Sequence, residues 1–490
     1  MSHIVVIGAG LAGLSAACRL TGNGHEVTVL ERGDIPGGRA GQLRRDGFTF
    51  DTGPSVLTMP DLISDPLAAV GVDIKDVLPM HRLDPAYRAK FADGSTIHVR
   101  FGHAEMREEI RRTCSETDAA AFDDFVVWLR ELYRVEMPHF IDHNFDSPLG
   151  LLANPKAAAK LLRMGAFSRL GPSIRKRFKD PRLQRLFSFQ ALYAGLAPES
   201  ALALYAVITY MDSIEGVWFP NSGGMHAIPQ ALADAAEKAG TVFRYSQNCT
   251  EIVRDSVTGA ATGVKLDTGE VVAADKVVCT VDLPVAYDTL LPTVDSPKRL
   301  KGANYSPSAV VWHVGMRGLP GPEVGHHNIH FGHEWESSFE ALLKKRQMMP
   351  DPSRLVTIPT VTDASFAPAG CSSLFVLEPS PNMESDINWV TEGPRIRDGL
   401  LNFLAEQGYP TEVMTEELVT PLEWADQGMQ AGTPFSLAHT FAQTGPFRPS
   451  NTDKRVPGLV FAGSGTVPGV GVPMVLISGK LAAERIGKAS

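Results

Sequence analysis

Residues 4–40 constrain the fold more than any other stretch of the chain. Ile4 to Ile7 is a short apolar, β-branched run, suited to a parallel strand buried on both faces. It breaks at Gly8-Ala9-Gly10-Leu11-Ala12-Gly13, a G-x-G-x-x-G turn. A helical pattern follows and stops near Gly22 and Gly24, and a second strand, Val27 to Leu30, runs into Glu31 and Arg32. Strand, glycine turn, helix, strand and terminal acid together predict a βαβ unit that holds a dinucleotide. Gly8 makes the tight turn, Gly10 admits the pyrophosphate to the backbone, and Gly13 lets the helix close on the strand. The helix N-terminus offers unpaired N–H groups to the phosphates, and Glu31 offers a carboxylate to ribose hydroxyls.

Further glycine motifs point to a flavin rather than a nicotinamide. Gly37-Gly38-Arg39 follows the second strand at a place where NAD-dependent dehydrogenases carry no such turn. It lets the chain pass closely over an extended cofactor, with Arg39 available to a phosphate. The turn at Gly53-Pro54-Ser55 offers a second backbone contact. Near the C-terminal end, Leu459 to Ala462 reads as a strand, Gly463-Ser464-Gly465 permits close approach, and Val472-Pro473-Met474 opens a helix running to about Ile486. The positive end of that helix suits the flavin edge that gains negative charge on reduction. The uncharged run from Val456 to Gly479 is long enough for a membrane span, but its glycines and prolines predict loop, strand, loop and helix instead.

The rest of the chain alternates between types. Short strands are expected at Tyr87–Phe91 and Thr96–Val99 around the Asp93-Gly94 turn, then a helix from Asp118 to Val135 capped by Ser115 or Asp118. The apolar stretch from Leu183 to Tyr210 reads as two buried helices. A helix over Ala227–Ala239, strands over Val242–Val253, Gly263–Leu266 and Asp275–Thr280, and more strands at Ala309–Val314, Leu355–Thr360 and Leu374–Glu378 follow, with a helix from Gly393 to Gln407. The expected class is α/β: a Rossmann-like FAD-binding domain with an inserted sheet-and-helix substrate domain. The first is discontinuous, over 1–75, 220–290 and 421–490; the second takes 76–219 and 291–420.

Residues 147–179 carry eight basic side chains and no acidic one, in a chain whose net charge is -9. Asn154 and Pro155 start a helix whose Lys156, Lys160 and Arg163 share a face, while Leu170, Ile174 and Phe178 share another across a break at Gly171-Pro172. A cationic amphipathic segment of this kind suits an anionic membrane surface. The acidic balance excludes a general nucleic-acid role. Five scattered cysteines without C-x-x-C spacing read as thiols of a reducing cytosol. His326, His327, His330 and His333 lack the Cys or Glu that would complete a metal site, so no metal is expected.

Taken together, these motifs resemble those of the bacterial-type phytoene desaturases, within the flavin-dependent amine-oxidase-like superfamily. The match runs through Val5 to Gly13, Glu31, Gly37-Gly38-Arg39, Gly47 to Ser55 and Gly216 to Gly224. It continues through Phe375 to Pro381, Trp389 with Glu392-Gly393-Pro394 and Arg397-Asp398, Phe447-Arg448-Pro449, and Gly463 to Pro473. Amine oxidases more typically carry Gly-Glu where Gly463-Ser464 stands. Val467 replaces a histidine found in many members, and Thr280-Val281-Asp282 replaces Asn-Ala-Asp. The resemblance implies FAD, an adenine contact by backbone near Cys249, and a polyene hydrocarbon substrate held by apolar burial at about 25 cal/mol per Å². It implies hydride transfer from an allylic carbon with proton loss from its neighbour, reoxidation by a quinone or dioxygen, and a cytoplasmic protein resting on the inner face of the cell membrane. Later-acting carotene desaturases, carotene isomerases, saturases and flavin-free prenyl-binding escort proteins share the pattern. No general base stands out in the sequence.

Overall fold

The computed structural model describes residues 1–147, 150 and 154–489. Its first layer is a five-stranded parallel sheet. In spatial order the strands are Leu459–Phe461, Lys276–Cys279, His3–Ile7, Glu26–Leu30 and Val242–Arg244. The opening strand lies at the centre, and four later parts of the chain complete the sheet around it. A three-stranded antiparallel sheet, Cys249–Arg254, Ala261–Leu266 and Val271–Ala273, lies beside it, turning at Thr268-Gly269. The single strand expected over Val242–Val253 is thus two, placed in different sheets.

The helix Leu11–Gly22 packs between Ala227–Lys238 and Val472–Ile486. Small residues make this possible. A Cβ on Gly13 would stand 2.0 Å from the carbonyl oxygen of Gly8, and one on Gly479 would stand 2.3 Å from that of Ala12. Ser15 Oγ donates to the Leu476 carbonyl at 2.6 Å, tying the first helix to the last.

The second layer is a seven-stranded mixed sheet: Glu412–Val419, Ser308–Arg317, Cys371–Ser380, Arg354–Thr357, His327–Phe331, Tyr87–Phe91 and Thr96–Val99. Its two faces follow the two-residue period of a strand. Val310, Trp312 and Val314, with Leu374 and Val376, are buried under the helix Trp389–Glu406. Their alternates, Ala309, Val311, Phe375 and Leu377, face a cavity, with Val311 and Leu377 paired across the strands.

Opposite that face stands a helical group. Its longest member, Glu116–Glu136, is capped by Ser115 Oγ accepting the Asp118 N–H at 3.0 Å. Pro155–Arg163 and Leu170–Arg177 follow. Pro172 falls in the first turn of the latter, so the break comes before Leu170 rather than at Gly171-Pro172. Asn154 precedes the first of these helices without a side-chain capping bond. Residues 148, 149 and 151–153 of the cationic segment lie outside the described residues. The stretch Leu183–Tyr210 is not two helices: it breaks into Pro181–Leu186 and short turns through Ile214, interrupted at Gly195 and Pro198. Burial was legible there, but apolar composition does not set helix length. Among the described residues no helix is long and apolar enough to cross a membrane.

Candidate functional site

One cavity of about 1330 Å³ runs between the two layers. That exceeds the space a drug-sized ligand usually occupies, about 300–1,000 Å³. Its two ends differ in chemistry.

The first end is built from the glycine motifs. Gly8, Gly10, Leu11, Ala12, Glu31, Arg32, Gly38, Arg39, Pro54, Ser55, Cys249, Gly463, Ser464, Val472, Pro473 and Met474 all line it. Ala9 and Gly13 stand behind the wall, Ala9 buried and Gly13 against the Gly8 carbonyl. Gly10 has a Cβ position with no protein atom nearer than 3.9 Å, room that a bound group can use. Gly37 and Gly38, at φ 126° and 55°, carry the chain back against this turn. The Gly37 N–H donates to the Ala9 carbonyl at 2.9 Å. The N-termini of two helices from opposite ends of the chain, Leu11–Gly22 and Val472–Ile486, thus both line this cavity.

Glu31 does more than await a ribose. Its Oε2 accepts the Ala9 N–H at 2.7 Å and its Oε1 accepts the Gly33 N–H at 2.8 Å, so the carboxylate also holds the glycine turn. Arg39 donates to Ser464 Oγ at 2.7 Å and pairs with Asp282 at 3.6 Å. Cys249 opens the strand beside the cavity, and burial, assisted by the nearby Glu31 and Asp267 charges, pushes its thiol up to about 12, so it is inert.

Arg448 is a residue to which sequence reasoning assigned no role. It is 2% exposed. Its guanidinium donates to the carbonyls of Thr466 at 2.9 Å, Ser464 at 2.6 Å, Gln443 at 3.2 Å and Leu437 at 3.4 Å. Burial pulls it down to about 10, still charged at neutral pH. It thus pins the loop that leads into the last helix. Val467, on the same loop, packs with Phe145, Ile477 and Leu481. The only sequence signal for Arg448 was its motif, since burial of an arginine cannot be read from its neighbours.

The other end is apolar. Leu161, Phe189, Leu202, Leu204, Val207 and Met211 wall it from the helical side, facing Ile329, Phe331, Leu355, Phe375 and Leu377 of the sheet. Trp335, Phe339 and Met349 add to its lining. Two acids stand among these walls, Glu136 and Asp212. Burial pushes Asp212 up to about 7, against hydrogen bonds from Ser213 and Gln190 that favour the charged form. Burial alone pushes Glu136 well above the carboxylate range. Neither stood out in the sequence.

Three of the four clustered histidines have side-chain partners within the protein, and His333 is exposed. His326 and His327 bond Thr362 and Thr357, and His330 bonds Tyr409. Burial holds His327 and His330 near 3, hence neutral.

The family described as "Flavin containing amine oxidoreductase" matches residues 11–487. The chain belongs to that family. It is 51% identical to a phytoene dehydrogenase of Streptomyces griseus, over 99% of this chain and 95% of the relative. It is 38% identical to a zeta-carotene-forming phytoene desaturase of Myxococcus xanthus, over 99% and 93%. A solved oxidoreductase of Methanosarcina mazei shares the fold, with a TM-score of 0.67 at 19% identity over 98% of this chain and 100% of the other. The expected resemblance to bacterial-type phytoene desaturases thus spans the whole chain. As a member of this family the protein is an FAD-dependent oxidoreductase. The glycine-lined end fits that cofactor: two helix N-termini, an open Gly10, and Arg39 and Glu31 at the wall supply the donors and acceptor that a dinucleotide needs.

Proposed function

We propose that the protein desaturates phytoene to more conjugated carotenes such as lycopene, in carotenoid biosynthesis. The observation that carries this reading is the continuity of one cavity from a dinucleotide cradle into a chamber of aliphatic and aromatic walls. The flavin, when bound, supplies a two-electron hydride acceptor. The chain supplies placement. The Gly8–Gly13 turn and the Leu11 helix hold the pyrophosphate, while Glu31 and Arg32 stand at the ribose and the backbone near Cys249 at the adenine. Gly38, Arg39, Pro54, Ser55, Gly463 and Ser464 enclose the middle of the cofactor. The helix at Val472, Pro473 and Met474 directs its positive end at the flavin edge. Residues 1–75, 220–290 and 421–490 form the FAD-binding domain on this reading, and 76–219 with 291–420 form the substrate domain. The apolar chamber excludes water and aligns a hydrocarbon that has no polar handle.

The test is incubation of FAD-loaded protein with phytoene in liposomes, with a quinone or dioxygen as acceptor. Chromatography should reveal longer conjugated carotenes. Absence of any with either acceptor overturns the reading, and the pattern of products across several carotenes separates phytoene desaturation from later desaturation, isomerisation or saturation.

A membrane supplies this substrate, on the same reading. Leu162 is 68% exposed and Phe167 is 40% exposed, and Phe167 also lines the cavity. Lys156, Arg163 and Arg169 are exposed around them, whereas Lys160 pairs with Glu131 and Arg175 with Glu199. Apolar tips ringed by cations at a cavity wall favour docking on the anionic inner face of the cell membrane. Co-sedimentation with anionic vesicles, lost when Lys156, Arg163 and Arg169 become Gln, is the expected result.

A further inference from the structure

A cavity that only binds a hydrocarbon needs no acid in its wall, and burying one is unfavourable. Asp212 is at least satisfied: Gln190 Nε2 donates to Oδ2 at 3.3 Å and Ser213 Oγ to Oδ1 at 2.8 Å. Glu136 is not. It is 4% exposed, it lines the cavity, and its Oε1 has no hydrogen-bond partner among the described residues. Leaving a buried polar atom unpaired costs about 1–3 kcal/mol. Such groups concentrate where chemistry uses them.

The surroundings of Glu136 connect it to the cofactor end. Tyr205 lines the same cavity and its hydroxyl bonds the His439 carbonyl and Thr444 Oγ1, each at 2.8 Å. A Cβ on Gly469 would stand 2.2 Å from the His439 ring, so His439 packs on the loop that Arg448 pins.

We propose that the Glu136 carboxylate is the group that takes the proton in each desaturation step. This assignment rests on the desaturase reading. In each CH–CH to C=C step, one C–H bond loses its hydrogen with both electrons, as hydride, to the FAD of the family. The neighbouring C–H bond breaks the other way: its proton goes to a Glu136 oxygen, and its electron pair becomes the new π bond. Glu136 then returns the proton to solvent before the next step.

Among the described residues Glu136 has no competing ion pair. The cations packed along its helix are engaged elsewhere: Lys160 with Glu131, Arg107 and His103 with Asp123, and Arg177 over the Trp128 ring. Asp212 faces the cavity from the segment Tyr210–Ile214, packed against the same helix, and Tyr205, His439 and Arg448 lie on the cofactor side. Burial disfavours the ionised form of Glu136 and makes it correspondingly more basic. Turnover therefore rises with pH along an acid limb displaced upward from the ordinary carboxylate range.

Glu136→Gln removes the acid and keeps its size; Glu136→Asp keeps the acid. FAD uptake, read from the flavin spectrum, is expected to match wild type in both. The wild-type minus Glu136→Gln infrared difference spectrum, measured on flavin-free protein at neutral pH, is expected to show the band of a protonated carboxyl in apolar surroundings, with the Asp212 contribution, common to both proteins, cancelling. With phytoene in liposomes, Glu136→Gln should turn over at least about 100-fold more slowly and lose the acid limb, while Glu136→Asp keeps it at a lower rate. A Glu136→Gln protein as fast as wild type, or one that retains the limb, overturns this assignment alone. A wild type that forms no conjugated carotene overturns the desaturase reading with it.

Discussion

At the dinucleotide end of the cavity the wall is largely backbone; at the apolar end it is largely side chain. The first is made of turns at Gly8 to Gly13, Gly37-Gly38 and Gly463-Ser464, placed by a parallel sheet and by Arg448. The second is made of Leu, Ile, Phe and Met tips on one face of a mixed sheet and on short helical pieces. A backbone wall tolerates little change: at Gly13 and Gly37 an added Cβ meets backbone atoms that cannot move, and at Gly10 it takes room that a bound group can use. A side-chain wall can repack, because apolar volume is exchanged at modest cost. The two ends should therefore fail differently.

The largest effect is expected at Gly13. Gly13→Val would drive a Cβ to within 2.0 Å of the Gly8 carbonyl and 3.3 Å of the Val6 side chain. Loss of the flavin spectrum in the purified protein, or loss of soluble protein, is the expected outcome; a variant that binds FAD like wild type would break the contrast. Arg448→Leu comes next. It leaves the carbonyls of Leu437, Gln443, Ser464 and Thr466 without their donor. A stability loss of about 3 kcal/mol by chemical denaturation, with weakened FAD retention, should follow.

Phe189→Ala tests the other wall. Phe189 lines the cavity and meets the Tyr87, Tyr193 and Phe331 rings. KM for the carotene is expected to rise about tenfold, near the value of a partly repacked apolar contact, with the flavin spectrum unchanged. A change in FAD affinity would mean that the two ends are mechanically coupled.

The smallest effect concerns Asp212. Burial pushes it up to about 7 in the folded chain, above the 3.8 of an ordinary aspartate, so between those values the folded chain holds a proton that the unfolded chain releases. Stability from this group therefore falls as pH rises between those values and is lowest above pH 7. Asp212→Asn should raise the unfolding midpoint by several degrees at pH 8, and the gain should vanish near pH 3.

The same contrast explains what could be read from the chain. The glycine turns were legible because φ, close approach and helix dipoles restrict residue type strongly. The stretches 8–13, 37–39 and 463–474, the last more than four hundred positions from the others, were assigned to one cofactor, and each contributes to the lining of one cavity. The strands Tyr87–Phe91 and Thr96–Val99 were also placed at their observed ends. The apolar chamber was not legible in detail. Leu183–Tyr210 announces burial, but a Leu or Phe reads alike in a helix, a turn or a cavity wall. Glu136 and Asp212 were missed for a related reason. Glu136 ends an amphipathic helix that carries several solvated acids, and only packing separates it from Glu131, which pairs with Lys160.

The order of strands also governs how the protein comes into being. The edge strand Leu459–Phe461 and the helix Val472–Ile486 complete the cradle, yet the ribosome makes them after everything else described here. While residues 1–450 are emerging, the central strands have no outer neighbour on that side, and the hydrocarbon-lined chamber has no finished floor. On the proposed reading, FAD capture therefore waits until residues 459–486 have been made. Until then the growing chain exposes an unfinished apolar trough, the kind of surface that chaperones cover.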